Sequence, residues 1–212
     1  SLLVLAGAGS GKTRVLTFRI LHILYNKLAT PSQILAVTFT NKAANEMKSR
    51  IAKLIDLPID RMWIGTFHSL SLKILRQHYE EVGLKKNFLI IDSDDQLKLV
   101  KNICDAEKID TKEVSAKYYL SSIDSLKNKG ISSNELKENK YRKNDIELRK
   151  IYKIYQSELI RLNLVDFGDL ILHCIKIFQN NKFILNKFQN YFKYIHVDEY
   201  QDINPIQQTW IK

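Results

Sequence analysis

The run Leu2-Leu3-Val4-Leu5-Ala6-Gly7-Ala8-Gly9-Ser10-Gly11-Lys12-Thr13 constrains this chain more than any other stretch. Its four opening apolar residues, Leu2 to Leu5, predict a short buried strand. Three glycines follow; such residues let a backbone take positive φ and approach a ligand closely. From Arg14 to Tyr25, apolar residues at Val15, Phe18, Ile23 and Leu24 predict a helix. Strand, glycine-rich turn and helix start are together the setting of a phosphate-binding loop. In such a loop the N–H groups converge at a helix N-terminus, where the helix dipole also favours an anion. Lys12 can then reach the β- and γ-phosphates of a nucleotide, and Thr13 offers a hydroxyl to Mg²⁺. One departure from the pattern is Ala6, which stands where a first glycine is usual; it is small, and Gly7 and Gly9 keep the loop pliable.

Strand and helix alternate through the next stretch. Ile34 to Thr40 is rich in β-branched residues and predicts a second strand. A helix starts at Asn41, with Ala43, Met47 and Ile51 on one face. Trp63 to Phe67 predicts a third strand, and His68 to Tyr79 a helix. This is the pattern of an α/β fold with a parallel sheet. From about Lys85 the pattern changes. Phe88 to Ile91 is a short apolar run, and Asp92-Ser93-Asp94-Asp95 is a helix-capping cluster ahead of Gln96 to Asp105. Further helices are expected over Lys112 to Lys129, Asp145 to Leu162 and Phe167 to Gln179. A mostly helical subdomain inserted into the α/β domain accounts for this order. The α/β pattern returns at Tyr194 to Asp202, and Pro205 to Ile211 starts a last helix. The boundaries expected are 1–86, then the insertion 87–187, then 188–212.

The returning strand stops at Asp198-Glu199. Acids at the C-terminal end of a parallel strand stand where open sheets bind ligands. Beside a phosphate-binding loop, Asp198 can hold Mg²⁺ and Glu199 can take a proton from an attacking water. A solvated acidic turn is the plain alternative.

With 212 residues the chain can bury one large core or two modest ones. No apolar run nears the roughly 18 residues of a membrane span, so no membrane partner is expected. Cys104 and Cys174 have no ligand-type neighbours and read as buried thiols of a reducing compartment. A net charge of +10 points to a polyanionic partner, nucleic acid first. The chain opens directly on its first strand and stops at Ile211-Lys212, so a piece of a longer protein is expected.

Taken together the motifs resemble, over essentially the whole chain, the N-terminal part of superfamily 1 DNA helicases of the UvrD/Rep/PcrA type. They stand in that family's order: Ala6 to Arg14, then Val37-Thr38-Phe39-Thr40-Asn41-Lys42-Ala43-Ala44, then Gly65-Thr66-Phe67-His68-Ser69, then Leu164 to Leu170, then Val197 to Asn204 with Gln207. Many nucleotidases share the loop alone; five motifs in this order are far more specific. The resemblance implies a RecA-like parallel sheet with helices on both faces, called domain 1A, interrupted by a helical domain 1B. It implies ATP and Mg²⁺ as cofactors, held by Ala6, Gly7, Ala8, Gly9, Ser10, Gly11, Lys12, Thr13 and Arg14, with Arg14 against the adenine. It gives Asp198 to the metal and makes Glu199 the catalytic base; Gln201 would help sense the nucleotide state.

Thr38, Phe39, Thr40, Asn41, Thr66 and His68 would contact single-stranded DNA. Each also has a plain reading. Phe39 can stack on a base, yet alternation puts it with Leu35 and Val37 in the core. Thr38, Thr40 and Asn41 can bind phosphate or simply cap a helix. Thr66 can touch the DNA backbone, and a lone histidine such as His68 is commonly structural. Lys127, Lys129, Lys137, Lys140 and Lys143 either attract phosphates or form a solvated face. Tyr118, Tyr119, Tyr152 and Tyr155 have core spacing. Asp166, Phe167 and Asp169 would organise the edge of the insertion.

The activity implied is ATP-driven 3′–5′ movement on single strands and at single/double-strand junctions, in repair or replication, in the bacterial cytoplasm at the nucleoid. A recombination-type helicase–nuclease shares these motifs and is the alternative. The second RecA-like domain of the same chain would be the missing partner, so the isolated chain is expected to hydrolyse ATP poorly.

Overall fold

Ile34, Leu35, Ala36 and Val37 are all buried, which requires cover on both faces of the strand they form. That strand, β1 (Ile34–Val37), is the middle of a parallel sheet in a computed structural model that describes residues 2–5, 7, 10–136 and 143–212. β2 (Trp63–Gly65) pairs with one edge of β1, with Leu35 opposite Trp63. β5 (Tyr194–Val197) pairs with the other, with Ala36 opposite His196. The order β2-β1-β5 is made of parallel neighbours.

Two helices cover one face. α1 (Lys12–Tyr25) and α2 (Asn41–Ala52) bring Ile20, Ile23, Leu24, Met47 and Ile51 against Ile34, Ala36 and Ile64. On Trp63, α8 (Lys182–Tyr191) and the residue after it set Phe188 and Phe192 edge-on, with ring centroids 5.8 and 5.3 Å away. These elements belong to one of two units into which the chain divides, Ser1–Leu70 with Asn181–Ile203.

The other unit is Ser71–Asn180 with Asn204–Lys212. It is mainly helical: α4 (Ser93–Ala106), α5 (Ala116–Asn128), α6 (Lys143–Arg161), α7 (Phe167–Asn180) and α9 (Pro205–Ile211). Tyr119, Tyr152 and Tyr155 are fully buried there, with Val100, Cys104, Ile123 and Leu159. A two-stranded parallel ladder joins β3 (Leu89–Ile90) to β4 (Leu164–Val165). α3 (Phe67–Leu75) runs across the division in the sequence. Among the described residues no helix is long and apolar enough to cross a membrane.

Several sequence expectations need correction. Leu2, Leu3, Val4 and Leu5 form no strand and are 51–85% exposed. An apolar run becomes a strand only by pairing, and these residues have no ladder partner among the described residues. On α1 the buried stripe is Thr17, Ile20, Ile23 and Leu24, while Val15 and Phe18 face water. At 100° per residue, positions 17, 20 and 24 share a face that 15 and 18 miss. β1 stops at Val37 and β2 at Gly65, shorter than expected. The helix expected from Lys112 begins at Ala116, because the Ser115 hydroxyl accepts from the Tyr118 N–H at 3.2 Å and caps it there. α8 and β4 are elements the pattern does not announce. Cys104 and Cys174 are buried free thiols.

Candidate active site

α1 starts because Gly11 takes φ 91°, a left-handed conformation that suits glycine, and its carbonyl accepts from the Val15 N–H at 3.0 Å. Before it, Ser10 folds back on Gly7: its hydroxyl donates to the Gly7 carbonyl at 2.7 Å. Ala6, Ala8 and Gly9 lie outside the described residues. The turn therefore delivers Lys12 and Thr13 at the first positions of the helix.

β5 delivers the acids. The Asp198 N–H donates to the Val37 carbonyl at 2.8 Å, just past the paired strand ends. Thr13 then donates its hydroxyl to Asp198 Oδ2 at 3.0 Å, across 185 residues of chain. The Lys12 ammonium lies 3.6 Å from Glu199 Oε2. Glu199 takes φ 51°, a left-handed conformation uncommon for a residue with a side chain and frequent at functional sites. Gln201 donates its amide to the Glu199 carboxylate. That hydrogen bond, helped by the Lys12 charge, holds the Glu199 carboxyl below the usual glutamate range, so it is ionised at neutral pH.

The arrangement has a clear chemical capacity. A helix N-terminus and a lysine favour phosphate. Thr13 and Asp198 present a hydroxyl and a carboxylate oxygen, the hard donors that Mg²⁺ takes. Mg²⁺ keeps several waters and phosphate oxygens for its other positions, so these two donors fit it. An ionised Glu199 can accept a proton. Arg14 is exposed, with its guanidinium carbon 5.5 Å from the Phe18 ring centre.

The second and third motifs meet at neighbouring strand ends, where the Thr38 N–H donates to the Gly65 carbonyl at 2.9 Å. Thr38 is buried, and its hydroxyl donates to the Thr40 carbonyl at 3.0 Å, so it shapes the turn. Thr40 caps α2 by accepting from the Ala43 N–H at 3.1 Å. Between them Phe39 is 59% exposed, outside the core that alternation offered it. Asn41 is exposed beside it. Thr66 and Ser69 cap the start of α3 reciprocally, each side chain accepting from the other's N–H at 3.2 and 2.9 Å. Gly65 leaves room for this: a Cβ there would meet Ser69 Oγ at 2.5 Å. His68 is half-buried, and burial lowers its pKa.

Lys127 corrects the reading of a basic face. It is fully buried and ion-paired at 2.6 Å to both Asp166 and Asp169, so it offers nothing to a phosphate. Lys129 is exposed; Lys137 and Lys140 lie outside the described residues. Tyr118 is 50% exposed, unlike the other three tyrosines. Residues the sequence reading misses include His196, buried on β5 and pushed down to about 4 by burial and by Arg19. Only its place two residues before Asp198 hints at it.

The family model described as UvrD/REP helicase N-terminal domain matches residues 1–212. A protein named ATP-dependent DNA helicase PcrA from Staphylococcus aureus is 42% identical over 211 residues, and so is one of the same name from Staphylococcus epidermidis. Each match takes in 100% of this chain and 29% of the relative, so the chain spans under a third of the length of these relatives.

Proposed function

The chain belongs to the UvrD/REP helicase N-terminal domain family, and on that premise we propose that it is the ATP-binding part of an ATP-dependent DNA helicase that moves 3′–5′ on single strands. The observation that carries this is the meeting of the two distant motifs: Thr13 on Asp198 at 3.0 Å and Lys12 by Glu199 at 3.6 Å.

In this reading Gly7, Ser10 and Gly11, with Ala6, Ala8 and Gly9, cradle the phosphates, and Lys12 neutralises their charge. Arg14 lies against the adenine. Thr13 and Asp198 hold Mg²⁺, which supplies electrostatic stabilisation to the phosphates when bound. Glu199 orients the attacking water and accepts its proton, for which its lowered pKa keeps it ready. Gln201, already bonded to Glu199, reports whether that carboxylate is engaged. Phe39, Thr40, Asn41, Thr66 and His68 face the DNA strand, with Thr38 setting the turn that presents Phe39.

We further propose that residues 1–86 and 188–212 form the RecA-like domain 1A and that 87–187 is the inserted helical domain 1B. A second RecA-like domain elsewhere in the longer protein would complete the nucleotide cleft, and closure of that cleft would ratchet the strand. Its partners would be single-stranded DNA and strand junctions, in repair or replication at the bacterial nucleoid. The isolated chain would bind nucleotide weakly and hydrolyse it poorly.

ATP hydrolysis by the full-length protein, with and without a single-stranded oligonucleotide, tests this. We expect strong stimulation by DNA, and a loss of about 10²- to 10⁴-fold in Glu199→Gln with nucleotide binding retained. Hydrolysis in Glu199→Gln near the wild-type rate would defeat the proposal.

A further inference from the structure

The first turn of α1 sends its side chains in three directions. Successive residues turn by about 100°, so Lys12 and Arg14 stand on opposite flanks of Thr13, which bonds inward to Asp198 at 3.0 Å. On one flank Lys12 lies 3.6 Å from Glu199. On the other, the Arg14 guanidinium carbon is 5.5 Å from the centre of the Phe18 ring, within range of a cation–π contact. The two are an i,i+4 pair, and helical side chains lean toward the N-terminus, so the helix itself carries the ring to the arginine. Neither side chain serves the core. Phe18 is half exposed, as is Val15 beside it, whereas the buried stripe of the helix is Thr17, Ile20, Ile23 and Leu24.

Arg14 stands in an unfavourable place for a cation. The first turn of a helix faces the positive end of its dipole, Lys12 adds a like charge, and the turn holds no acidic residue. The negative face of the Phe18 ring offsets part of that repulsion. It also does something for a ligand. A guanidinium held over a ring has fewer rotamers left to lose when a second partner arrives, and it keeps its other side free for that partner. The partner that suits it is flat and aromatic, because a guanidinium meets a π face by charge and by stacking together. A nucleotide base is such a partner, and a purine offers a larger face than a pyrimidine.

We infer that Phe18 is a positioning residue for the nucleotide base: it holds the Arg14 guanidinium in place from beneath and so favours purine over pyrimidine triphosphates. This rests on the proposed ATPase reading, in which Arg14 lies against the adenine. The triphosphate then crosses the helix N-terminus toward Lys12 and Thr13, and the base stays on the Arg14 flank. Phe18 touches the arginine and not the base. An arginine that presents its face does not read the hydrogen-bonding edge of a base, so the pair treats ATP and GTP alike and disfavours CTP. The base lies far from the bond that breaks, so the contact holds substrate and transition state equally and acts on KM alone.

The test is DNA-stimulated ATP hydrolysis by the full-length protein, with GTP and CTP added as competitors. Phe18→Ala should raise the KM for ATP about three- to fivefold, with kcat unchanged. It should weaken inhibition by GTP by the same factor and inhibition by CTP by less than about 1.5-fold. Phe18→Tyr, which restores a ring, should keep the wild-type KM. The double variant Arg14→Ala with Phe18→Ala should match Arg14→Ala alone, because the ring acts only through the arginine. An unchanged KM in Phe18→Ala, an equal loss for CTP, or a double variant weaker than Arg14→Ala by the full factor would each overturn the inference. Lys12→Ala in the same assay separates the two levels. If it abolishes hydrolysis while Phe18→Ala keeps the wild-type KM, only this inference fails; if it hydrolyses ATP at the wild-type rate, the ATPase reading fails and takes the inference with it.

Discussion

Two lysine–dicarboxylate groups of the molecule have opposite surroundings. Lys12 lies 3.6 Å from Glu199, with side chains 24% and 36% exposed, and Asp198 stands alongside, bonded to Thr13. Lys127 lies 2.6 Å from two aspartates, and none of the three is more than 1% exposed. The first group is partly open to solvent and its ion pair is long, so a phosphate or a metal can displace its internal contacts at little cost. The second is dry and fully bonded, so nothing can enter without leaving a buried charge unpaired. Residue type alone does not separate a binding site from a structural clamp; burial and distance do.

The sharpest way to break this contrast is to delete each lysine. Lys127→Met leaves two buried carboxylates uncompensated and should cost about 3–5 kcal/mol in urea unfolding, or prevent folding. Lys12→Met should change stability by about 0.5 kcal/mol or less while removing ATP hydrolysis. Similar stability losses for the two would end the distinction.

The glycines repeat the contrast at smaller scale. Gly168→Ala forces a methyl against the Lys127 stem and should cost about 1–3 kcal/mol. A Cβ at Gly7 meets nothing within 4 Å, so Gly7→Ala should leave the melting temperature nearly unchanged. The aromatics sharpen it further. Phe39→Ala should weaken single-stranded oligonucleotide binding by about 1–3 kcal/mol, read by anisotropy over a salt series, with little effect on folding because the ring is exposed. Binding that ignores Phe39 would move the DNA elsewhere.

The smallest expected effect is one of pH. His173 is buried, and burial lowers its pKa despite Asp169; Lys127 and Lys176 oppose its charge, and Asp166 favours it weakly. The unfolded chain therefore binds a proton that the folded chain does not. Stability should be full above the unfolded histidine value near 6.5 and decline as pH falls below it. His173→Leu should flatten that decline in urea midpoints taken from pH 7.5 to 5; an equal slope in the variant would place the proton elsewhere.

How far the sequence reaches depends on the kind of fact. Lys12, Thr13, Asp198 and Glu199 are legible because a glycine-rich turn that opens a helix and an acid pair that ends a strand each carry a recognisable local pattern, although Leu2 to Leu5 ahead of the turn form no strand. Phe39 stays open in sequence because β1 is buried on both faces, so alternation carries no information there. The Thr38 hydroxyl on the Thr40 carbonyl and the Thr40 cap on Ala43 turn the chain from strand to helix here, and the ring is left exposed. Lys127 looks like any other lysine of a basic chain, since its partners Asp166 and Asp169 come from another helix start. β4 and α8 are missed for a related reason: two residues make too short a strand to show a period, and in α8 the exposed Phe183 beside the buried Ile184 and Phe188 blurs the helical period.

Ligand-linked melting of the chain tests the central claim most directly, because it reads binding at the Lys12–Glu199 group without any other domain. Saturating Mg-ATP should raise the melting temperature of the wild type, and Lys12→Ala and Asp198→Ala should each abolish the rise. An equal rise in those variants would mean that the nucleotide binds elsewhere and that this half-buried group is not the site.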